Sequence, residues 1–281
     1  MMDSGSDYPT LERAAQRGET ACLLGYARAA LEAVVQGRTR LRAVVHPLGF
    51  VCLPVLREGG DGVCVHLHGG SSAGGGSSGG GGSSGGGGRP GTGALTTSAI
   101  HAHSWDLISC VLFGAIGNVP VRVVDEERRP THRIFAVAST PDGVDDLRPT
   151  ARLVRFSAEP VREHGPEQIF TMAAGEFHST VGVSGESDGA SATVVLGRSV
   201  EDAVDLALGP LHGLPHRVER RRLAPARSAD IARGVLRRMD ESASRPTARP
   251  APRPRPRPGR PERGPRSGTG ADPGTPPGLC G

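Results

Sequence analysis

Between Arg40 and Leu196 the chain runs through one short apolar stretch after another, separated by turn residues and without helical spacing. That succession constrains the fold more than any other feature. Residues 41–46, 50–56 and 62–68 read as strands, with Pro47-Leu48-Gly49 and Gly59-Gly60-Asp61-Gly62 as the turns that follow the first two. The series resumes over 94–103, 107–113, 119–124, 132–138, 151–157, 168–173, 178–183 and 190–196. Short strands with no helix between them predict an all-β sandwich or barrel. Aromatic residues make up only 3% of the chain, so its core must be built from Val, Leu, Ile and Ala.

The flanks differ. Residues 10–35 carry Leu11, Ala14, Ala15, Leu23, Tyr26, Leu31 and Val34 at spacings of three and four, with Thr10 as a cap. Gly18 and Gly25 interrupt this pattern, so one helix or two shorter ones satisfy it. Two short helices are expected later, over 199–208 behind Ser199 and over 229–239 behind Ser228. Gly69 to Gly88 is almost pure Gly and Ser and cannot bury apolar surface. It lacks the spacing and following Lys of a phosphate-binding loop. The expected organisation is an N-terminal helical segment (1–39), a β-barrel (40–200) interrupted by the disordered tract 69–93, C-terminal helices (201–240) and a disordered Arg/Pro-rich tail (241–281).

The formal charge of +4 misleads. Residues 241–281 hold eight Arg and three acids, a balance of +5, which leaves −1 for residues 1–240. The folded part therefore gives no sign of a nucleic-acid surface. The tail, with Arg-Pro repeated at 253–258, favours extended polyproline II; it is either a solvated tail or a contact for acidic surfaces and Pro-binding modules. No apolar run approaches the ~18 residues of a membrane span, and the N-terminus lacks a secretory pattern. The five cysteines, Cys22, Cys52, Cys64, Cys110 and Cys280, are scattered without a CxxC, and most sit in apolar runs as buried free thiols do. A cytoplasmic location follows as the expectation.

The chemistry concentrates in residues 98–114, which hold His101, His103 and Trp105, the only tryptophan. In a strand, residues i and i+2 point to one face, so His101 and His103 can aim two imidazoles at one point. A third ligand would complete a metal site, and the candidate is His178, just after Gly175 and at the start of a strand. His66 and His68 form a second pair of the same parity, either ligands themselves or lining for the same cavity. Trp105 is expected in the core or pocket wall, and Asp106 and Glu176 are candidates for orienting imidazoles. No spacing supports a Ser-His-Asp hydrolase.

His101-Ala102-His103 with Gly114, followed by Gly175-Glu176-Phe177-His178, resembles the two motifs of the cupin superfamily. The likeness covers about residues 40–200. It implies a small antiparallel β-barrel with a metal held inside by His101, His103 and His178. Many cupins carry a Glu four or five residues after the second His; here those positions are Leu107 and Ile108. Three neutral ligands are similar to the cysteine-dioxygenase-like branch, and this likeness favours Fe(II), with Zn, Mn or Ni as alternatives. It further implies an oxygenase acting on a small-molecule substrate, or else a non-catalytic binding or sensor module, and a homodimer paired through its sheets. The best-known members of that branch also use a tyrosine near the iron. The two tyrosines here, Tyr8 and Tyr26, lie in the N-terminal segment, so cysteine itself is not supported as substrate. The sequence names no catalytic base.

Overall fold

The computed structural model describes residues 7–69, 95–140, 142–183 and 189–244. The Gly/Ser tract from residue 70, the tail from residue 245 and Cys280 lie outside the described residues. Helices α1 (Tyr8–Gln16) and α2 (Thr20–Val35) open the chain. The pattern over 10–35 thus resolves into two helices that part at Gly18. Asp7 rather than Thr10 caps the first: its carboxylate accepts the Thr10 N–H at 3.0 Å. The strands follow: β1 (Val44–Val45), β2 (Val51–Glu58), β3 (Asp61–His68), β4 (His101–Ala102), β5 (Trp105–Phe113), β6 (Ile116–Asp125), β7 (His132–Ser139) and β8 (Val144–Ala158). Then come β9 (Arg162–His164), β10 (Ile169–Met172), β11 (His178–Gly182), β12 (Ser191–Ser199), β13 (Asp205–Gly209), β14 (His216–Glu219) and β15 (Arg221–Arg222). Helix α3 (Pro225–Ser244) closes the described chain.

All strand pairings are antiparallel and form two sheets. The first has the order β10-β5-β12-β3-β2-β1-β15 and the second β14-β8-β7-β13-β4-β11-β6-β9. The long strand β8 pairs with β7 and also with β6, which closes six strands of the second sheet into a ring. The protein is mainly β, as the run of short strands predicts.

The first sheet has two different faces. Val51, Leu53, Val63, Val65, Leu112, Val194 and Leu196 share one core with Leu11, Leu23, Leu31, Ile231 and Val235 of the three helices. Helix α3 presents Ser228, Ile231, Ala232, Val235 and Met239 at spacings of three and four, the stripe an amphipathic helix buries. Each fully buried Leu or Val contributes roughly 1.5–3 kcal/mol. The other face of this sheet looks at the second sheet across a small cavity lined from both sides, by Ser109 and Thr193 of the first and His101 and Asn118 of the second.

Three further expectations fail locally. Residues 199–208 are not a helix: the chain turns at Asp202, whose φ is 59°, and then enters β13. There Leu206 and Leu208 alternate with Asp205 and Ala207, and pairing with β7 and β4 leaves Leu208 wholly buried. Sheet pairing of that period-two stretch outweighs a short helix, which is marginal by itself. The strand expected over 94–103 contracts to β4, because Ser98 turns its hydroxyl on the backbone, donating to Leu208 O (2.9 Å) and accepting the Ile100 N–H (3.2 Å). Ser228 is not a cap. Helix α3 starts earlier, at Pro225, a residue that tolerates the first turn because it has no N–H to satisfy.

Ser228 instead ties α3 to the sheet. Its buried hydroxyl accepts the Ala43 N–H at 3.0 Å and donates to Ala224 O at 3.1 Å. Ser228→Ala leaves that N–H unsatisfied, at a cost of about 1–3 kcal/mol. Urea unfolding will show a lower midpoint with an unchanged slope; an unchanged midpoint would mean that water replaces the hydroxyl.

Candidate metal centre

Strand β4 has two residues, and it lies between β13 and β11. His101 pairs with Ala207 on one side and directly with His178 on the other. Side chains directly opposite on antiparallel strands stand on the same face, so the ladder itself brings two distant imidazoles together. Their ring centroids are 4.4 Å apart. His103 follows just beyond the strand end; its ring is 4.7 Å from that of His101 and 5.2 Å from that of His178. One ligand atom from each of the three lies within 4.8 Å of the others. The three histidines singled out in the sequence converge.

Backbone contacts fix this arrangement. Gly175 donates its N–H to His103 O at 2.9 Å, and its φ of 80° is one that residues with a Cβ rarely adopt. The Asp205 carboxylate accepts the Ser104 N–H at 2.6 Å, holding the chain where it leaves His103. Gly114 also has a φ of 72°, and a Cβ there would meet Ala190 O at 2.5 Å. The motif glycine is needed where β5 ends against β12.

The ring contacts decide which nitrogens are free. His101 Nδ1 lies 2.9 Å from Ala99 O, and His178 Nδ1 lies 3.4 Å from Glu176 O. A carbonyl oxygen only accepts, so each contact is a hydrogen bond when Nδ1 carries the proton. Nε2 of both rings then keeps its lone pair, the state a metal ligand requires. Burial pushes His178 down to about 3, reinforced by His101. Burial also lowers His101, against the opposing Ala99 carbonyl and Asp205. His103 falls well below the usual imidazole range, again from burial, with His101 and His178 adding to it. All three are neutral at pH 7. A set of three neutral imidazoles suits a divalent metal ion.

Two cavities meet the trio: one is largely apolar, and the other, shared by His101 and His103, is lined also by Asp145 and Asp205. The apolar cavity is about 90 Å³, and its walls include Phe50, Leu107, Ile116 and Met172. Leu107 thus stands as wall where many cupins have a ligand, while Ile108 packs against the helix-covered core. His66 and His68 line the same cavity, with Phe50 tilted against both rings. Trp105 packs edge-on against His103 at 5.2 Å. Asp106 and Glu176 do not orient imidazoles with their carboxylates: they accept the N–H groups of Ala174 (2.9 Å) and Ala173 (3.2 Å) and so hold the turn before His178. For His178 the orienting group is the Glu176 carbonyl. Tyr8 and Tyr26 lie in the helix-covered core, away from the cavity.

Two residues escaped sequence reading. Asp205 lay inside an expected helix, so its role at the Ser104 N–H was invisible. Asn118 reaches the cavity from β6, and its side-chain oxygen has no hydrogen-bond partner among the described residues; an unpaired buried amide group of this kind is available to a ligand. Of the four described cysteines Cys64 and Cys110 are buried, Cys52 is half-buried and Cys22 is exposed. Cys52 and Cys64 lie beside His66. Hydrogen bonding from Cys52 draws the Cys64 thiol well below its ordinary value, with His66 and Arg57 acting in the same direction.

No protein-family model matches the chain, and no curated protein matches its sequence. Fold and site together define a mainly β protein of two antiparallel sheets, with a three-histidine group that can hold a divalent metal ion. This arrangement is compatible with a cupin. Among the described residues, no helix is long and apolar enough to cross a membrane.

Asp205→Ala removes the acceptor at Ser104 without touching an imidazole. Loss of such an outer contact typically weakens metal binding about 10–100-fold, and Asp205→Asn, which keeps an acceptor oxygen, should recover part of the loss. Equilibrium titration with a divalent metal measures both; equal affinity in Asp205→Ala and the parent would show that the Ser104 bond does not position His103.

Proposed function

We propose that this chain is a metal-dependent enzyme of the cupin type, with His101, His103 and His178 as the ligands of Fe(II), and that it oxygenates a small molecule. The observation that carries the reading is the convergence of three neutral imidazoles on the wall of a largely apolar cavity. A divalent metal bound there supplies Lewis acidity or redox chemistry at the coordination positions that three protein ligands leave open. The chain's own residues do the rest. Ala99 O and Glu176 O hold the His101 and His178 rings in the tautomer that offers Nε2. Phe50, Leu107 and Met172 keep bulk water from the reacting atoms. The Asn118 carboxamide, with Ser109 and Thr193 on the facing sheet, orients the polar end of the substrate.

A second reading has its own support. Among the described residues the cavity lining has no carboxylate and no tyrosine, which leaves His66 and His68 as its only side chains outside the trio that can serve as a general base, and burial holds His68 far below the usual imidazole range. A module that binds a small molecule without turning it over needs no base.

Iron analysis of the purified protein tests the site: His101→Ala combined with His178→Ala will lose the bound iron, and unchanged iron content would overturn the assignment. Oxygen uptake over a panel of small thiols then separates the readings. Consumption that disappears in the double variant supports the oxygenase. Saturable binding of the same compounds without oxygen consumption supports the binding module.

A further inference from the structure

A second set of donors lies on the first sheet, and one of them, His66, lines the cavity that the histidine trio faces. Cys52 of β2 pairs directly with His66 of β3, and Cys64 pairs with Pro54. Their neighbours Val51, Leu53, Val63 and Val65 all turn to the helix-covered core. By strand alternation Cys52, Cys64 and His66 share the opposite face. One ligand atom from each of these three lies within 4.8 Å of the others. The ladder shifts register after Pro54, which supplies no N–H to it. Arg57 brings its guanidinium to 3.8 Å from the Cys64 sulfur, a positive charge beside a group that can carry a negative one.

We propose that Cys52, Cys64 and His66 form a second metal site, distinct from the three-histidine group, that takes a thiophilic d¹⁰ ion, zinc. Two sulfurs and one imidazole are a soft donor set, whereas the nitrogen-only set of the trio also suits iron. Zinc accepts three protein ligands with a fourth position open. Zn–S bonds of about 2.3 Å and Zn–N bonds of about 2.0 Å place the donors roughly 3.3–3.8 Å apart, so modest side-chain rotation closes the cluster from its present spread. Two Zn–S bonds and one Zn–N bond form, each protonated thiol loses its S–H proton to the buffer, and no electron is transferred. The two thiolate charges balance the ion, which removes the main cost of burying it. Because His66 also lines the cavity, the ion would fix one wall of the space that the histidine trio faces.

The test uses the full chain, freed of metal by a chelator under reducing conditions and titrated with Co(II) alone. The expected result is an intense near-ultraviolet band from thiolate-to-cobalt charge transfer, which zinc abolishes by displacement. Cys52→Ser and Cys64→Ser will each lose the band, and the His101→Ala/His178→Ala protein will keep it. Absence of the band in the parent, its survival in both serine variants or its loss in the histidine variant would overturn the proposal. A failed three-histidine site would leave the band in place, so the two assignments fail separately. Where a serine variant does not fold, the parent protein decides alone. Zinc should protect Cys52 and Cys64 from alkylation, read by peptide mass spectrometry, while exposed Cys22 still reacts; equal labelling of Cys52 and Cys64 with and without zinc would overturn the site.

Discussion

The pairing of His101 with His178 across β4 and β11 is the contact on which the rest of the site depends. A strand of two residues has little cohesion of its own. It persists because β13 holds one edge, β11 holds the other, and the Asp205 carboxylate takes the first N–H beyond His103. Each of these partners comes from a part of the chain remote in sequence. The closing of such long loops costs conformational entropy that only the completed sheet returns. The three imidazoles therefore meet when the second sheet is assembled.

The helices make that assembly stable without taking part in it. α1, α2 and α3 cover the outer face of the first sheet and form the largest apolar core with it. That sheet can then spend its inner face on polar and titratable groups: Ser109, Thr193, His66, His68 and the cysteine pair. An uncovered sheet would need its inner face for apolar packing. Here a helix layer outside frees the inside for chemistry.

How much of this could be read in the residues follows from the range of each interaction. The strand series rests on a period of two that is written locally, and so does the shared face of His101 and His103. His178 was legible because a histidine after a turn glycine at a strand start is a local pattern as well. That it lies directly opposite His101 is a matter of register, which no local pattern encodes. Asp205 was lost for a related reason: Val-Glu-Asp-Ala-Val-Asp-Leu-Ala-Leu at 200–208 satisfies both helical and strand spacing, and only the edge offered by β7 and β4 decides between them. Asn118 illustrates the other limit. A single Asn in a strand carries no signal until the cavity it reaches is known.

The charge of the cavity narrows what would enter it. Among the described residues its lining holds five histidines, His66, His68, His101, His103 and His178, and no acid, while Asp145 and Asp205 line a second pocket that shares His101 and His103. Burial lowers His68 and the converging trio below the usual imidazole range, which favours their neutral forms near pH 7. In the reading proposed above, three neutral ligands leave a dication with its full charge in a space of low polarity. An uncompensated charge there is costly, and the cost falls when an anionic group binds directly to the ion. A site with a carboxylate ligand needs less such help from its substrate. In that reading, apolar wall at Leu107, where many cupins carry a carboxylate, would tilt selection toward small ligands that bring their own negative charge, such as a thiolate or a carboxylate, and away from neutral molecules of similar size.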